Sequence, residues 1–412
     1  MTGAAAEDAA EDMFAVYAAA RMRGRACASH VGYDCAFATQ AEQAVKKQQL
    51  QRKDIGLAII GAGRIGTMRA KLASSHAAVH CIGVADINEA AAKKLADSAG
   101  AAIVGSNSLD VISNPAINAV VVATGEHQHV EPVLQALQMG KHVLVEKPIA
   151  LKLEDADKLI AAAAQSSGSL HVGYSRRFKR RYLTVKEQIA LGRLGEVNGL
   201  SARIYNSRAQ VFQMLKRDPH ATPVVDSLTY FVDMLGWWVP DNPAVEVWAR
   251  GKGGTIRQAG FDCDDVTYAV VTLANGALVN FSCSFALPDK YPSLGYCARI
   301  EVIGSEGVLM IDDDHLDQIM YTERGIPHIY VPDLTVNMAF LSSSAPGDWV
   351  GGEFWGPLAS ETRNWLDHVA TGKPCLLATP REARSNLAIT LAIEEAVASG
   401  KTVRLSETAV AR

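Results

Sequence analysis

The chain has 412 residues, 49% of them apolar and 20% charged, with a formal net charge of −4. Its length exceeds one average core and predicts two soluble domains, and its charge excludes a basic surface for nucleic acid. No apolar run approaches the roughly 20 residues that span a bilayer, and the seven cysteines show neither a C-x-x-C pair nor metal spacing, as in a reduced cytoplasmic protein with no metal centre.

Residues 1–53 read as an N-terminal extension. Acids (Glu7, Asp8, Glu11, Asp12) open it and a polar run, Lys46 to Lys53, closes it. Early acids argue against a secretory or mitochondrial leader. A flexible or partly helical tail, a start codon set too far upstream and an arm around a neighbouring subunit are the three readings.

From residue 54 to 175 the pattern is strand, glycine turn, helix, strand. Leu57-Ala58-Ile59-Ile60, Cys81 to Ala85, Ala119 to Ala123 and His142 to Val145 are apolar runs without polar alternation, as in parallel strands buried on both faces. Helices are predicted between them, over Thr67–Ser74, Glu89–Ala99 and His129–Met139. Gly61-Ala62-Gly63-Arg64-Ile65-Gly66 ends the first strand and opens the first helix. Such a turn brings a pyrophosphate against free amides at a helix N-terminus. Asp86 ends the second strand, where its carboxylate can hold the adenosine ribose hydroxyls, so NAD is favoured over NADP. Asp86 could instead cap the following helix, and Arg64 could reach a 2′-phosphate. This segment is predicted to be an NAD(P)-binding Rossmann domain with a doubly wound parallel sheet.

Beyond residue 175 the grammar changes. Val279, Phe281, Cys283 and Phe285 alternate with Asn280, Ser282 and Ser284, as in a half-buried strand. Asn275-Gly276 signals a hairpin, and Gly304 to Gly307 separates two further apolar runs. Residues 176–412 are expected to form an α+β substrate-binding domain with a largely antiparallel open sheet. Its apolar face calls for a cover, which predicts a homodimer or homotetramer through that sheet. Residues 206–224 and 286–298 read as loops, with Arg208, Lys216 and His220 as candidate substrate contacts. Asp226, Tyr230 and Asp233 are spaced i, i+4, i+7, which places them on one helical face, with Tyr230 as a core residue and Asp233 as a cap or structural acid the alternatives.

Glu146-Lys147-Pro148, Ala123-Thr124-x-x-His127-x-His129, Gly173-Tyr174-x-Arg176-Arg177-Phe178 and the glycine turn occur in an order that resembles the Gfo/Idh/MocA oxidoreductase family. The resemblance spans roughly residues 55–405 and includes closing helices near Glu361–His368 and Arg381–Ala398. It implies that Lys147 lies beside the nicotinamide and the reacting carbon, where an ammonium can hold or move a hydroxyl proton. Pro148 restricts the lysine's backbone and admits a cis bond. Inositol-dehydrogenase-like members carry histidine where this chain has Tyr230, and some sugar-active members carry tyrosine. The candidate catalytic residues are therefore Lys147, Tyr230 and Asp226. A Lys147 ammonium near Tyr230 is expected to favour the phenolate. The candidate cofactor ligands are Gly61, Gly63, Arg64, Ile65, Gly66, Asp86, Thr124, His127, Glu146 and Lys147. The candidate substrate ligands are Lys147, Arg176, Asp226 and Tyr230, while His129 serves either the dinucleotide or only the start of a helix. The resemblance implies an NAD(P)-dependent dehydrogenase acting on a secondary alcohol or ketone of a polyol or sugar. The alternatives are an NADPH-dependent sugar-nucleotide ketoreductase or carbonyl reductase and, in another class, a dinucleotide-sensing regulator.

Overall fold

A computed structural model describes residues 52–292, 297–312, 318–328, 331–341, 348–350, 353–406 and 410. The extension, residues 1–53, lies almost wholly outside them.

Six strands form the first sheet: β1 (Ile55–Ile60), β2 (Val79–Ala85), β3 (Ile103–Gly105), β4 (Ala119–Val122), β5 (His142–Glu146) and β6 (Leu170–Gly173). All pair in parallel, in the order β3-β2-β1-β4-β5-β6. The order reverses between β1 and β4, which opens a crevice at the strands' C-terminal ends. β1 and β4 are buried at every position, which is why their sequences show no alternation. Helices α1 (Arg64–Ser74) and α2 (Glu89–Ala99) cover one face, and α3 (Ser108–Ile112), α4 (Val130–Gln138) and α5 (Leu153–Gln165) cover the other.

The second sheet has the order β12-β11-β7-β10-β9-β8-β17. Its strands are β7 (Val197–Ser207), β8 (Ala244–Lys252), β9 (Val266–Leu273), β10 (Leu278–Leu287), β11 (Cys297–Gly304), β12 (Val308–Asp312) and β17 (Val403–Arg404); β13 (Gln318–His328) pairs with β14 (Val331–Leu341), β15 (Asp348–Val350) pairs with β16 (Glu353–Trp355), and the short α9 (Thr255–Gln258) joins β8 to β9. Only β7 and β10 pair in parallel; every other pair is antiparallel. The expected hairpin joins β9 to β10, with Gly276 at φ +86°.

The expected alternation along β10 holds only as far as Phe281. Ser282 and Ser284 are buried as well, because the Ser284 hydroxyl donates to the Asp265 carbonyl at 2.9 Å and Ser282 Oγ meets Tyr205 Oη at 3.4 Å. A buried serine with a partner is no bar to a two-sided strand.

Helices α6 (Arg180–Ala190), α8 (Thr229–Trp238) and α11 (Pro380–Ser399) fill the inner face of this sheet. Its other face leaves Trp248, Tyr268, Leu278, Ile303, Val308 and Met310 exposed. Helix α10 (Pro357–Thr371) returns to the first sheet, where Trp365 and Leu366 join the core of β1, α1 and α2. Residues 206–217 are not the expected loop: they end β7 and form α7 (Arg208–Arg217), which buries Val211 and Leu215 one turn apart. No helix among the described residues is long and apolar enough to cross a membrane.

Candidate active site

The glycine turn is built for close backbone approach. Gly61 has φ +102°, and a Cβ there would lie 2.5 Å from the Ala123 carbonyl oxygen. A Cβ on Gly66 would lie 1.9 Å from the Gly61 carbonyl oxygen, so the strand and helix pack only through glycine. Gly63, by contrast, is exposed and a Cβ would meet nothing within 4 Å. Helix α1 starts without a side-chain cap and without an acid in its first turn. With no acid in that first turn, its leading amides suit a pyrophosphate, and Arg64 is exposed and Ile65 half-buried beside them.

Asp86 lies directly beside this turn. Its Oδ2 accepts from the Ala62 amide at 2.6 Å and its Oδ1 from the Asn88 amide at 2.8 Å. The cap of α2 is Asn88, whose side chain accepts from the Ala91 amide at 3.1 Å. Asp86 is therefore a carboxylate held at the edge of the dinucleotide turn, with lone pairs left for ribose hydroxyls. These residues fit a dinucleotide.

Across the crevice, Thr124 ends the β4 loop and His127 is exposed in the short helical turn that follows. His129 is buried. Its Nδ1 meets the Pro148 carbonyl at 2.9 Å and its Nε2 meets the Thr124 carbonyl at 3.4 Å. It tethers the β4 loop to the β5 loop, and burial pushes its pKa down.

Lys147 follows β5, and its bond to Pro148 is cis. Its side chain is only 10% exposed. Its Nζ donates to the Asp226 carbonyl at 2.7 Å and to Asp226 Oδ1 at 3.2 Å. The ammonium also lies 5.1 Å from the centre of the Tyr230 ring, and the Arg176 guanidinium lies 4.9 Å from the same centre. Lys147, Asp226, Tyr230 and Arg176 thus come together, as the sequence predicts.

Asp233 does not join them. Residues Val224–Leu228 form a single π-helical turn ahead of α8, which shifts Asp226 relative to Tyr230 and Asp233, and within α8 Asp233 is turned away from Lys147 toward Arg177 and Asn386. Asp233 is fully buried and accepts two hydrogen bonds from Arg177, at 2.8 and 2.6 Å, and one from Asn386 at 2.7 Å. It is part of the scaffold.

The expectation for the phenol also changes. Burial raises the pKa of Tyr230, and the nearby Lys147 ammonium only partly offsets it. Tyr230 is a neutral phenol at neutral pH, able to donate a hydrogen bond.

Asn206, joined to Asp226 through Ser227, and the pair Arg69 and Glu361 were not singled out from the sequence. Asn206 and Ser207 end β7, buried, and Asn206 Oδ1, Ser207 Oγ and Gln210 Oε1 have no hydrogen-bond partner among the described residues. Asn206 Nδ2 donates to Ser227 Oγ at 3.4 Å, and that hydroxyl donates to Asp226 Oδ2 at 3.0 Å. Of the expected loop contacts, Arg208 has its Nε 3.7 Å from Asp289 Oδ1, while Lys216 and His220 are exposed. Behind the site, Arg69 is fully buried and bonds both Glu146 and Glu361. Burial pushes the Glu361 carboxyl up to about 7 against the pull of Arg69.

Comparison with known proteins agrees with this geometry. Residues 55–174 match the model of an oxidoreductase family with an NAD-binding Rossmann fold, and residues 182–310 match a GFO/IDH/MocA C-terminal domain, together more than half of the chain. An inositol 2-dehydrogenase of Rhizobium meliloti is 30% identical over 269 residues, 62% of this chain and 74% of that protein. A myo-inositol 2-dehydrogenase of Thermotoga maritima is 27% identical over 290 residues, 66% of this chain and 81% of that protein. The fold is also that of a scyllo-inositol dehydrogenase from Lactobacillus casei solved with NAD(H) and scyllo-inositol. That match has a TM-score of 0.71 at 20% identity and covers 85% of this chain and 99% of that one.

Proposed function

The chain belongs to the GFO/IDH/MocA oxidoreductases, and from that premise we propose that it is an NAD-dependent dehydrogenase of a ring polyol, inositol-like in substrate. The observation that carries the reading is the Lys147 ammonium, one residue beyond β5 at the dinucleotide crevice, bonded to Asp226 from the second sheet's side.

Bound NAD would accept the hydride from the substrate's secondary carbinol carbon. Lys147 holds the hydroxyl oxygen of that carbon. Lys147 gives one proton to Asp226 Oδ1, 3.2 Å away, and the lone pair so freed takes the hydroxyl proton as the hydride leaves. Tyr230, a neutral phenol, donates to the same oxygen and walls the site with its ring. Glu146 keeps one carboxylate oxygen for the nicotinamide ribose. The unpartnered oxygens of Asn206, Ser207 and Gln210 suit a ligand with several hydroxyls, since each buried acceptor gains a donor only when one binds.

Turnover of NAD(H) and NADP(H) against a panel of inositols, aldoses and keto-sugars tests the proposal. Asp86 beside the glycine turn repels a 2′-phosphate, so NAD(H) is expected to bind about tenfold tighter than NADP(H), about 1.4 kcal/mol. Equal or reversed affinities would show that Arg64, not Asp86, sets the choice. Absence of turnover with every polyol and sugar, despite NADH binding, would sink the substrate class.

The same proposal includes a second copy of the chain over the exposed sheet face that carries Trp248, Tyr268 and Met310. Light scattering is expected to return at least twice the 44.0 kDa of one chain. A monomer at micromolar concentration would refute it.

A further inference from the structure

We propose that Arg69 and Glu361 are positioning residues, a clamp that fixes the Glu146 carboxylate, and with it the neighbouring Lys147, for dinucleotide binding and turnover. The proposal rests on the dehydrogenase reading and adds two residues to it that touch neither substrate nor reacting atoms.

One guanidinium joins three parts of the chain. Arg69 Nε and Nη2 both reach Glu146 Oε1, at 2.7 and 2.6 Å. Nη2 also donates to Glu361 Oε2 at 2.6 Å, and Nη1 donates to Thr362 Oγ1 at 2.9 Å. Arg69 and Glu361 are fully buried, while the Glu146 side chain keeps 15% exposure. Helix α1 carries the glycine turn and Arg69, β5 ends in Glu146, and α10 supplies Glu361 and Thr362. The clamp therefore ties the dinucleotide turn to the residue beside the reacting lysine.

Packing alone does not call for this arrangement. Helix α10 is already docked on α1 by apolar contacts, where Leu358 and the preceding Phe354 meet Ile65, Met68 and Leu72. A buried arginine between two carboxylates adds little to stability that apolar side chains of equal volume would not supply. What it adds is geometry. The clamp uses only Oε1 of Glu146, and Oε2 accepts no hydrogen bond from any described residue. The carboxylate is thus fixed through one oxygen, and its other oxygen lies beside Gly173 with no hydrogen bond from the described residues. Gly173 leaves room for the clamp: a Cβ there would lie 2.8 Å from Arg69 Nη2 and 3.3 Å from Glu146 Oε2.

The test is the double variant Arg69→Met/Glu361→Leu, which removes both buried charges and keeps the volume filled. Melting temperature, the NADH dissociation constant by fluorescence, and kcat and KM with myo-inositol are compared with the parent. The variant is expected to melt within a few degrees of the parent, bind NADH about tenfold more weakly and lose about tenfold in kcat, with KM for myo-inositol nearly unchanged. A folded double variant with parental NADH affinity and kcat overturns the proposal. Should it not fold, the isosteric Glu361→Gln is expected to fold and weaken NADH binding about threefold, and parental affinity there overturns the proposal equally. A parent that binds no NADH would instead overturn the dehydrogenase reading itself.

Discussion

Lys147→Ala is expected to lower turnover about 100-fold or more, about 2.7 kcal/mol of transition-state stabilisation, and to leave NAD affinity within a few-fold of the parent. The asymmetry follows from where the ammonium points. Its hydrogen bonds run to the carbonyl and carboxylate of Asp226, whereas the pyrophosphate and adenosine ribose are assigned to the α1 amides and Asp86. Removing it deletes the group that moves the proton and leaves the groups that hold the cofactor. Tyr230→Phe is the matched comparison. The ring remains between Lys147, Arg176 and Tyr174, and only a neutral donor is lost. The expected fall is about tenfold, the worth of one hydrogen bond to the substrate oxygen. Steady-state rates and cofactor titrations of both variants decide the matter. Near-parental turnover in Lys147→Ala would remove the lysine from the mechanism. A larger loss in Tyr230→Phe than in Lys147→Ala would make the phenol the main proton carrier despite its raised pKa.

How much of this was legible in the sequence depended on whether a residue's role is local. The glycine turn, β1 and β4 could be read because strands buried on both faces are apolar throughout, and a phosphate turn has a fixed spacing. Lys147, Asp226, Tyr230 and Arg176 could be singled out because each sits in a short motif, and the fold brings the four side chains together. Helix α7 was missed although Val211 and Leu215 keep helical spacing, since the charged residues around them, Arg208, Lys216 and Arg217, read as a loop. Asp233 was left open between the shared face and a structural acid, because helical spacing alone does not tell which buried partners, here Arg177 and Asn386, a carboxylate will meet. Arg69 had a faint signal: Gly66, Arg69, Ala70, Leu72 and Ala73 are the buried positions of α1, so a charge stood on an inward face. Its partner Glu361 lies 292 residues away, a pairing that only the tertiary fold supplies.

The reassignment of Asp233 yields the other large effect. Asp233→Ala is expected to destabilise the protein by about 3 kcal/mol, with little change in the constants of the molecules that stay folded. Arg177 is 2% exposed and Asp233 0%, and their fork-to-fork contact at 2.6 and 2.8 Å satisfies both groups. Truncating the acid leaves a buried guanidinium with Glu382 at 3.5 Å as its remaining carboxylate partner, and that acid is 21% exposed. It also removes one acceptor of Asn386 Nδ2. The residual Glu382 contact keeps the loss toward the low end of the range of about 3–5 kcal/mol for a broken buried pair. The burial of Arg177 and Asp233 puts the loss in the scaffold: α8 and α11 meet at this pair, and α8 follows directly on the turn that carries Asp226. A drop of about 4 °C in melting temperature, with NAD affinity and kcat measured well below the transition close to parental, is the expected pattern. A variant that melts like the parent and loses turnover 100-fold would return Asp233 to the active site and show that the face predicted from its spacing was right.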